Sequence, residues 1–167
     1  MQRVLPDRWR AALPFYFEEY ERLLPTCPTI VPELVSALAL LKRRRIRTGL
    51  VTGKGRVSAM MSLRHFGLDD VFDGIETGSP TGVVKAHAIS RLLDGWRVTP
   101  GEAIYVGDAV ADMNAAREAG VTAVGAAWSP GADDGELKAA GADALFTTTA
   151  EFLTWLESRT FGDGAAR

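Results

Sequence analysis

The sequence predicts an α/β protein with a Rossmann-like parallel sheet, and three observations carry that prediction. Short apolar segments alternate with amphipathic segments five times along the chain. Each candidate strand is nearly all apolar rather than alternating, which is the pattern of strands covered on both faces. The 167 residues, 47% hydrophobic and 24% charged, suffice for one domain with a real core.

From Asp7 to Leu24 the residues Trp9, Leu13, Phe15, Phe17, Tyr20 and Leu23 recur at three- and four-residue steps. Pro14 interrupts them, so a helix is expected from about Phe15 to Leu24, with a start at Asp7 as the second choice. Three prolines between Pro25 and Pro32 end it. Pro32 to Arg45 reads as an amphipathic helix, with Pro32 in the first turn, Leu34, Leu38 and Leu41 on one face, and Lys42 to Arg45 at the negative end of the dipole.

Ile46 to Val51 is the first expected strand, followed by Thr52-Gly53-Lys54-Gly55 and a helix from Arg56 to Phe66. The unit then repeats. Strands are expected at Val71–Glu76, Ala103–Val106, Val121–Ala126 and Ala144–Thr147. Their helices are expected at Val84–Trp96 after the Gly78–Gly82 loop, then Val110–Ala119, Asp134–Ala140 and Ala150–Ser158, with a frayed tail from Phe161 to Arg167. Trp9, Trp96, Trp128 and Trp155 read as core or rim anchors, and His65 and His87 as surface or packing residues.

Charge and cysteine content narrow the function. Nineteen basic against 21 acidic residues leave a net charge of -2, so no global field draws nucleic acid or an anionic membrane, and neither partner is expected. No signal-peptide run or spanning segment stands in the sequence, and the single Cys27 cannot form an internal disulfide. A cytoplasmic protein is the expectation, with Cys27 a loop or packing residue.

In parallel sheets ligands bind beyond the carboxyl ends of the strands, which singles out the residues after Val51, Glu76, Val106 and Ala126. Gly107-Asp108-Ala109-Val110-Ala111-Asp112 follows one strand and places two carboxylates a helical turn apart. They read either as an oxygen site suited to Mg²⁺ or, for Asp108, as a helix cap. Thr52 reads either as a hydroxyl at a phosphate-sized anion site or as an ordinary capping turn. Lys54-Gly55 lacks the spacing of a Walker loop. Lys85 opens a helix, where a cation asks for an anionic partner, unless it is simply a solvated surface lysine.

Taken in order, strand-Thr-helix, loop-Lys-helix and strand-GDxxxD-helix resemble motifs two, three and four of the haloacid dehalogenase superfamily, closest to its phosphoglycolate phosphatase-like branch. The residues that carry the resemblance are Tyr20 with Pro28, Leu50-Val51-Thr52-Gly53-Lys54, Phe66-Gly67-Leu68, Phe72-Asp73-Gly74-Ile75, Lys85, Tyr105-Val106-Gly107-Asp108 with Asp112, and Ala119-Gly120-Val121. It implies a Mg²⁺-dependent phosphatase of small phosphorylated metabolites. Thr52 and the Gly53 amide would hold phosphate, Lys85 would bridge nucleophile and phosphate, and Asp108 would hold the metal with help from Asp112.

The same resemblance exposes departures. The family's first motif, DxDx[TV], supplies the nucleophile and general acid, and this sequence has no such motif. Asp7, Asp69-Asp70 and Asp133-Asp134 stand in the wrong context, Ala86 replaces a usual proline, and Gly53 stands where Asn or Ser is common. The expectation is a chain that begins inside the helical cap: residues 1–27 a cap remnant, 28–160 the core and 161–167 a flexible tail, with the first, central strand missing. An impaired or inactive phosphatase follows. The alternative is a non-catalytic phosphate-binding or interaction module, a homo-oligomer or partner chain filling the open slot in the sheet. A receiver-like signalling domain is disfavoured, because receivers need an acidic pair at their first strand.

Overall fold

A computed structural model of the chain describes residues 8–27, 30–78 and 84–161; Pro28, Gly82 and Asp7 of the sequence reading lie outside them. Seven α-helices and five strands occur among the described residues. All strand pairings are parallel, as expected for the α/β class. The strands form two sheets, however, one ordered β1-β2 and the other β3-β4-β5.

The chain divides into two compact units, the first comprising residues up to Val31 together with Leu41–Val83, the second Pro32–Leu40 together with the residues from Val84 onward. In the first unit α1 covers Trp9–Leu23 and runs through Pro14, rather than starting at Phe15. The missing Pro14 amide removes one hydrogen bond near the helix start, and the remaining 15-residue helix carries that loss. Helix α2, Pro32–Arg43, stops two residues earlier than its charge pattern suggests. Arg45 takes a left-handed conformation (φ 60°), and the amides of Arg45 and Ile46 return to the carbonyls of Lys42 and Leu41 at 3.0 Å each, a Schellman close.

Strand β1 is Gly49–Gly55, not Ile46–Val51, and β2 is Gly74–Gly78, not Val71–Glu76. One residue explains both shifts. Asp73, just before β2, accepts from the Thr48 amide through Oδ2 (2.8 Å) and from Arg47 through Oδ1 (3.0 Å), while its own amide donates to the Thr48 carbonyl at 2.8 Å. The buried Thr48 hydroxyl donates to the Val71 carbonyl at 3.0 Å. Side-chain bonds therefore occupy the groups that would have started the ladder earlier. Helix α3, Arg56–His65, joins the two strands and buries Ala59 and Leu63.

In the second unit β3 (Ile104–Gly107), β4 (Thr122–Ala126) and β5 (Ala144–Phe146) are joined by α5 (Val110–Ala119) and α6 (Asp134–Ala139). Helices α4 (Lys85–Trp96) and α7 (Thr149–Phe161) complete it. An aspartate latch recurs here: Asp143, before β5, accepts from the Ala123 amide at 2.7 Å and donates its own amide to the Ala123 carbonyl at 2.8 Å. Met113, Val124 and Leu137 are fully buried, and Phe152 packs with Trp128, Phe146 and Trp155. Burying side chains of this size contributes about 1.5–3 kcal/mol each before entropy is counted. Helix α5 closes on Gly120 (φ 72°), where a side chain would be strained.

Candidate active site

The first unit presents Thr52 where β1 leaves regular pairing with β2. Thr52 pairs with Thr77 and Gly55 with Gly78, so Gly53 and Lys54 form a bulge. A Cβ on Gly78 would lie 2.3 Å from the Gly53 carbonyl oxygen, so the bulge rests directly on that glycine. Thr52 does not cap α3, whose N-cap residue is Gly55 with no side-chain bond. Its Oγ1 instead accepts from the Lys54 amide at 3.2 Å, which leaves the hydroxyl proton available to a ligand.

The Lys54 ammonium turns to Tyr20 of α1. Its Nζ donates to the Tyr20 hydroxyl at 2.5 Å and lies 3.5 Å from Ser62 Oγ. Tyr20 and Ser62 are themselves 2.6 Å apart. Burial raises the Tyr20 phenol, but the hydrogen bonds of Lys54 and Ser62 and the Lys54 charge outweigh it, holding the phenol below its ordinary value.

The second unit assembles the other residues singled out by the sequence. Lys85 is the first residue of α4, whose first turn holds no acidic side chain to offset it. It is not a free surface lysine: Nζ donates to Asp112 Oδ1 at 2.6 Å. The same oxygen accepts from the Tyr105 hydroxyl at 3.0 Å. Asp112 is 4% exposed, so its charge is held by a cation and a hydroxyl instead of water. Burial first, then the charge and hydrogen bond of Asp112, then the charge of Asp108, push the Tyr105 phenol above its ordinary range and keep it a donor.

Asp108 follows β3 directly and does not cap α5, whose N-cap residue is Ala109 without a side-chain bond. Its Oδ2 accepts from Ser129 Oγ at 2.6 Å. Gly107 matters for a reason beyond the turn: a Cβ there would meet Asp112 Cβ at 2.3 Å and Cγ at 2.5 Å. Only glycine lets the second carboxylate fold back against the strand end.

Mg²⁺ usually takes one or two carboxylates, completing its shell with water and phosphate oxygens. Among the described residues no group of three or more His, Cys, Asp or Glu converges. Asp108, whose partner is a neutral hydroxyl, fits such an ion; Asp112 Oδ1 already serves Lys85 and Tyr105. Ser129, Tyr105 as a partner of Asp112, and the Lys54–Tyr20–Ser62 cluster were not singled out as site residues by the sequence. Position after β4 was the one signal for Ser129; the others depend on contacts across 7 to 42 residues.

Parallel strands, with a Thr-Gly bulge in the first unit and, in the second, a Gly-Asp-x-x-x-Asp turn whose second aspartate holds a helix-start lysine, are those of the Rossmann-like α/β class. Residues 2–126 match the family Haloacid dehalogenase-like hydrolase, and the chain belongs to that family. It is 32% identical over 126 residues to a phosphoglycolate phosphatase of Synechococcus elongatus, covering 74% of this chain and 58% of that protein. It is 29% identical over 141 residues to the pyrophosphatase PpaX of Bacillus pumilus, covering 83% and 59%. Among solved structures, a hydrolase from Pseudomonas syringae is similar with a TM-score of 0.72 and 28% identity, over 84% of this chain and 64% of the other. The chain thus spans about three-fifths of the length of the curated relatives it matches. No described helix is long and apolar enough to cross a membrane.

Proposed function

We propose that this chain carries the phosphate-binding and metal-binding part of a Mg²⁺-dependent phosphatase of small phosphorylated metabolites in a cytoplasmic setting. The observation that carries the reading is the buried Asp112 held by Lys85 beside the Gly107-Asp108 turn, in a member of the haloacid dehalogenase-like family. Thr52 and the Gly53 amide take phosphate oxygens. Lys85 adds a fixed positive charge, and Asp112 keeps the flexible side chain in one place. Asp108 would hold Mg²⁺, which when bound neutralises charge on the phosphoryl group, with Asp112 helping through water or as a second ligand.

Phosphoryl transfer in the resembling family proceeds through an aspartate of a DxDx[TV] motif, which the sequence does not contain. Binding and electrostatics remain without that nucleophile, so this chain alone gives little turnover. Assays with p-nitrophenyl phosphate and phosphoglycolate in the presence of Mg²⁺ test this. Rapid turnover abolished by Asp108→Ala would require another nucleophile and sink the reading.

A second reading, a non-catalytic interaction module, is favoured by one observation. Strand β3 is an edge of its sheet, with Ile104 and Val106 37% and 36% exposed. An edge strand with exposed β-branched residues accepts a further strand from a second copy or a partner. Light scattering after size-exclusion chromatography decides it: a defined oligomer supports the reading, and a well-behaved monomer argues against it.

A further inference from the structure

The loop between β4 and α6 delivers one hydroxyl to the Asp108 carboxylate. Ser129 Oγ donates to Asp108 Oδ2 at 2.6 Å, and among the described residues no other group hydrogen-bonds that carboxylate. Ser129 itself is fixed on both sides. Its amide donates to the Ala126 carbonyl at 3.1 Å, and its carbonyl accepts from the Ala132 amide at 3.1 Å. The preceding Trp128 packs on the buried Phe152 with ring centroids 5.1 Å apart, which ties the turn to the core of the second unit. Ser129 is half-buried, whereas Asp108 is exposed. The better-held partner therefore sets the orientation of a carboxylate that would otherwise rotate in water.

A serine hydroxyl has one proton, and Asp108 Oδ2 takes it. That leaves Oδ1 as the better donor to a cation, so Asp108 offers one oxygen in a set direction rather than two. The difference bears on the choice of ion. Mg²⁺ holds to near-ideal octahedral geometry, and a carboxylate gripping it through both oxygens would close a four-membered ring too narrow for an octahedron. Ca²⁺ is larger and more tolerant, and takes carboxylates through one oxygen or both.

We infer that Ser129 is a positioning residue that holds Asp108 in its one-oxygen setting and thereby favours Mg²⁺ over Ca²⁺. The inference rests on the assignment of Mg²⁺ to Asp108. Ser129 acts only through that carboxylate and makes or breaks no covalent bond. Removing its hydroxyl has two effects. Asp108 regains rotational freedom, which weakens the binding of any ion, and it regains its second oxygen, which compensates Ca²⁺ alone.

The test is calorimetric titration of the full chain with Mg²⁺ alone and with Ca²⁺ alone, so the readout is a pair of Kd values and needs no turnover. Ser129→Ala is expected to weaken Mg²⁺ binding about tenfold, the scale of a lost partner of a metal-ligating carboxylate, and Ca²⁺ binding by less than about threefold. Ser129→Thr keeps the hydroxyl and should hold the wild-type ratio of the two Kd values within about twofold. Ser129→Cys, close to serine in shape but a weak donor, should follow alanine, and it serves if the alanine variant does not fold. Equal weakening of both ions would mark a loss of loop structure and overturn the inference, as would Mg²⁺ binding that neither variant changes. Mg²⁺ binding that Asp108→Ala abolishes but Ser129→Ala leaves intact overturns the role of Ser129 while the Asp108 assignment stands. Failure of wild type to bind Mg²⁺, or binding that survives Asp108→Ala, overturns both.

Discussion

Lys85 donates to Asp112 at 2.6 Å, with the lysine side chain 28% and the aspartate side chain 6% exposed. The relationship links the first residue of α4 to the first turn of α5, and it converts an unfavourable cation at a helix start into the partner of a buried carboxylate. Asp112→Ala should cost about 2–3 kcal/mol in urea unfolding, the scale of hydrogen bonds to a charged group plus the penalty of an abandoned partner. Lys85→Met together with Asp112→Ala should cost less than the sum of the two single changes. Strict additivity would mean that the pair does not couple.

Gly107→Ala should be more disruptive than a strand glycine normally is. The added methyl would sit 2.3 Å from Asp112 Cβ, so either the strand end or the start of α5 must move. We expect a loss of about 2 kcal/mol or more, in the range of overpacked cores. The hydroxyl-to-carboxylate bond of Tyr105 should weaken with it, and amide chemical-shift changes centred on Tyr105 and Asp112 are the check. A change within about 0.5 kcal/mol, the size of a neutral surface substitution, would contradict the tight approach.

Acid should undo the Asp73 latch. The Thr48 amide bond first, and then the Arg47 bond and charge, outweigh burial and hold Asp73 below the usual carboxylate range. Its folded-state pKa is below its unfolded one, so the stabilisation is fully present above the unfolded value, about pH 4, and is lost as pH falls through the folded value. Asp73→Asn should therefore be destabilising at pH 7, and the gap from wild type should shrink under acid. A gap that stays constant from pH 7 to about pH 3 would exclude this role.

Gly78→Ala tests the turn that carries Thr52. The methyl would meet the Gly53 carbonyl oxygen at 2.3 Å, so the bulge has to lift from β2. Loss of stability by about 1–3 kcal/mol is expected, with weaker inorganic phosphate binding beyond what the unfolded fraction explains. Undisturbed phosphate binding in a folded variant would detach Thr52 from the site.

Much of this was legible because it is written in local spacing. Val110–Ala119 has the same bounds in sequence and structure, and α4, α6 and the strands of the second unit shift by one residue or so. The larger shifts have long-range causes: Asp73 captures Thr48 from 25 residues away, and no periodicity announces a side chain that replaces a ladder bond. Pro14 misled because a proline near a helix start costs one bond, not the helix. In the site, Lys85 and Asp112 were identifiable from motif order. Ser129 was not, and Tyr20 stood out as a resemblance residue without a role, since a serine in a loop gains its partner Asp108, and a tyrosine in a helix its partner Lys54, only on folding. Among the described residues the strands form two sheets where the sequence pattern predicts one.

The central claim, that this chain holds a phosphate with the help of Mg²⁺, is tested most directly by calorimetric titration of inorganic phosphate into the full chain with and without Mg²⁺. Saturable one-to-one binding is predicted with Mg²⁺, weakened at least tenfold by Asp108→Ala or by omission of the metal, about 1.4 kcal/mol. Absence of binding, or binding indifferent to both Mg²⁺ and Asp108→Ala, would contradict the account.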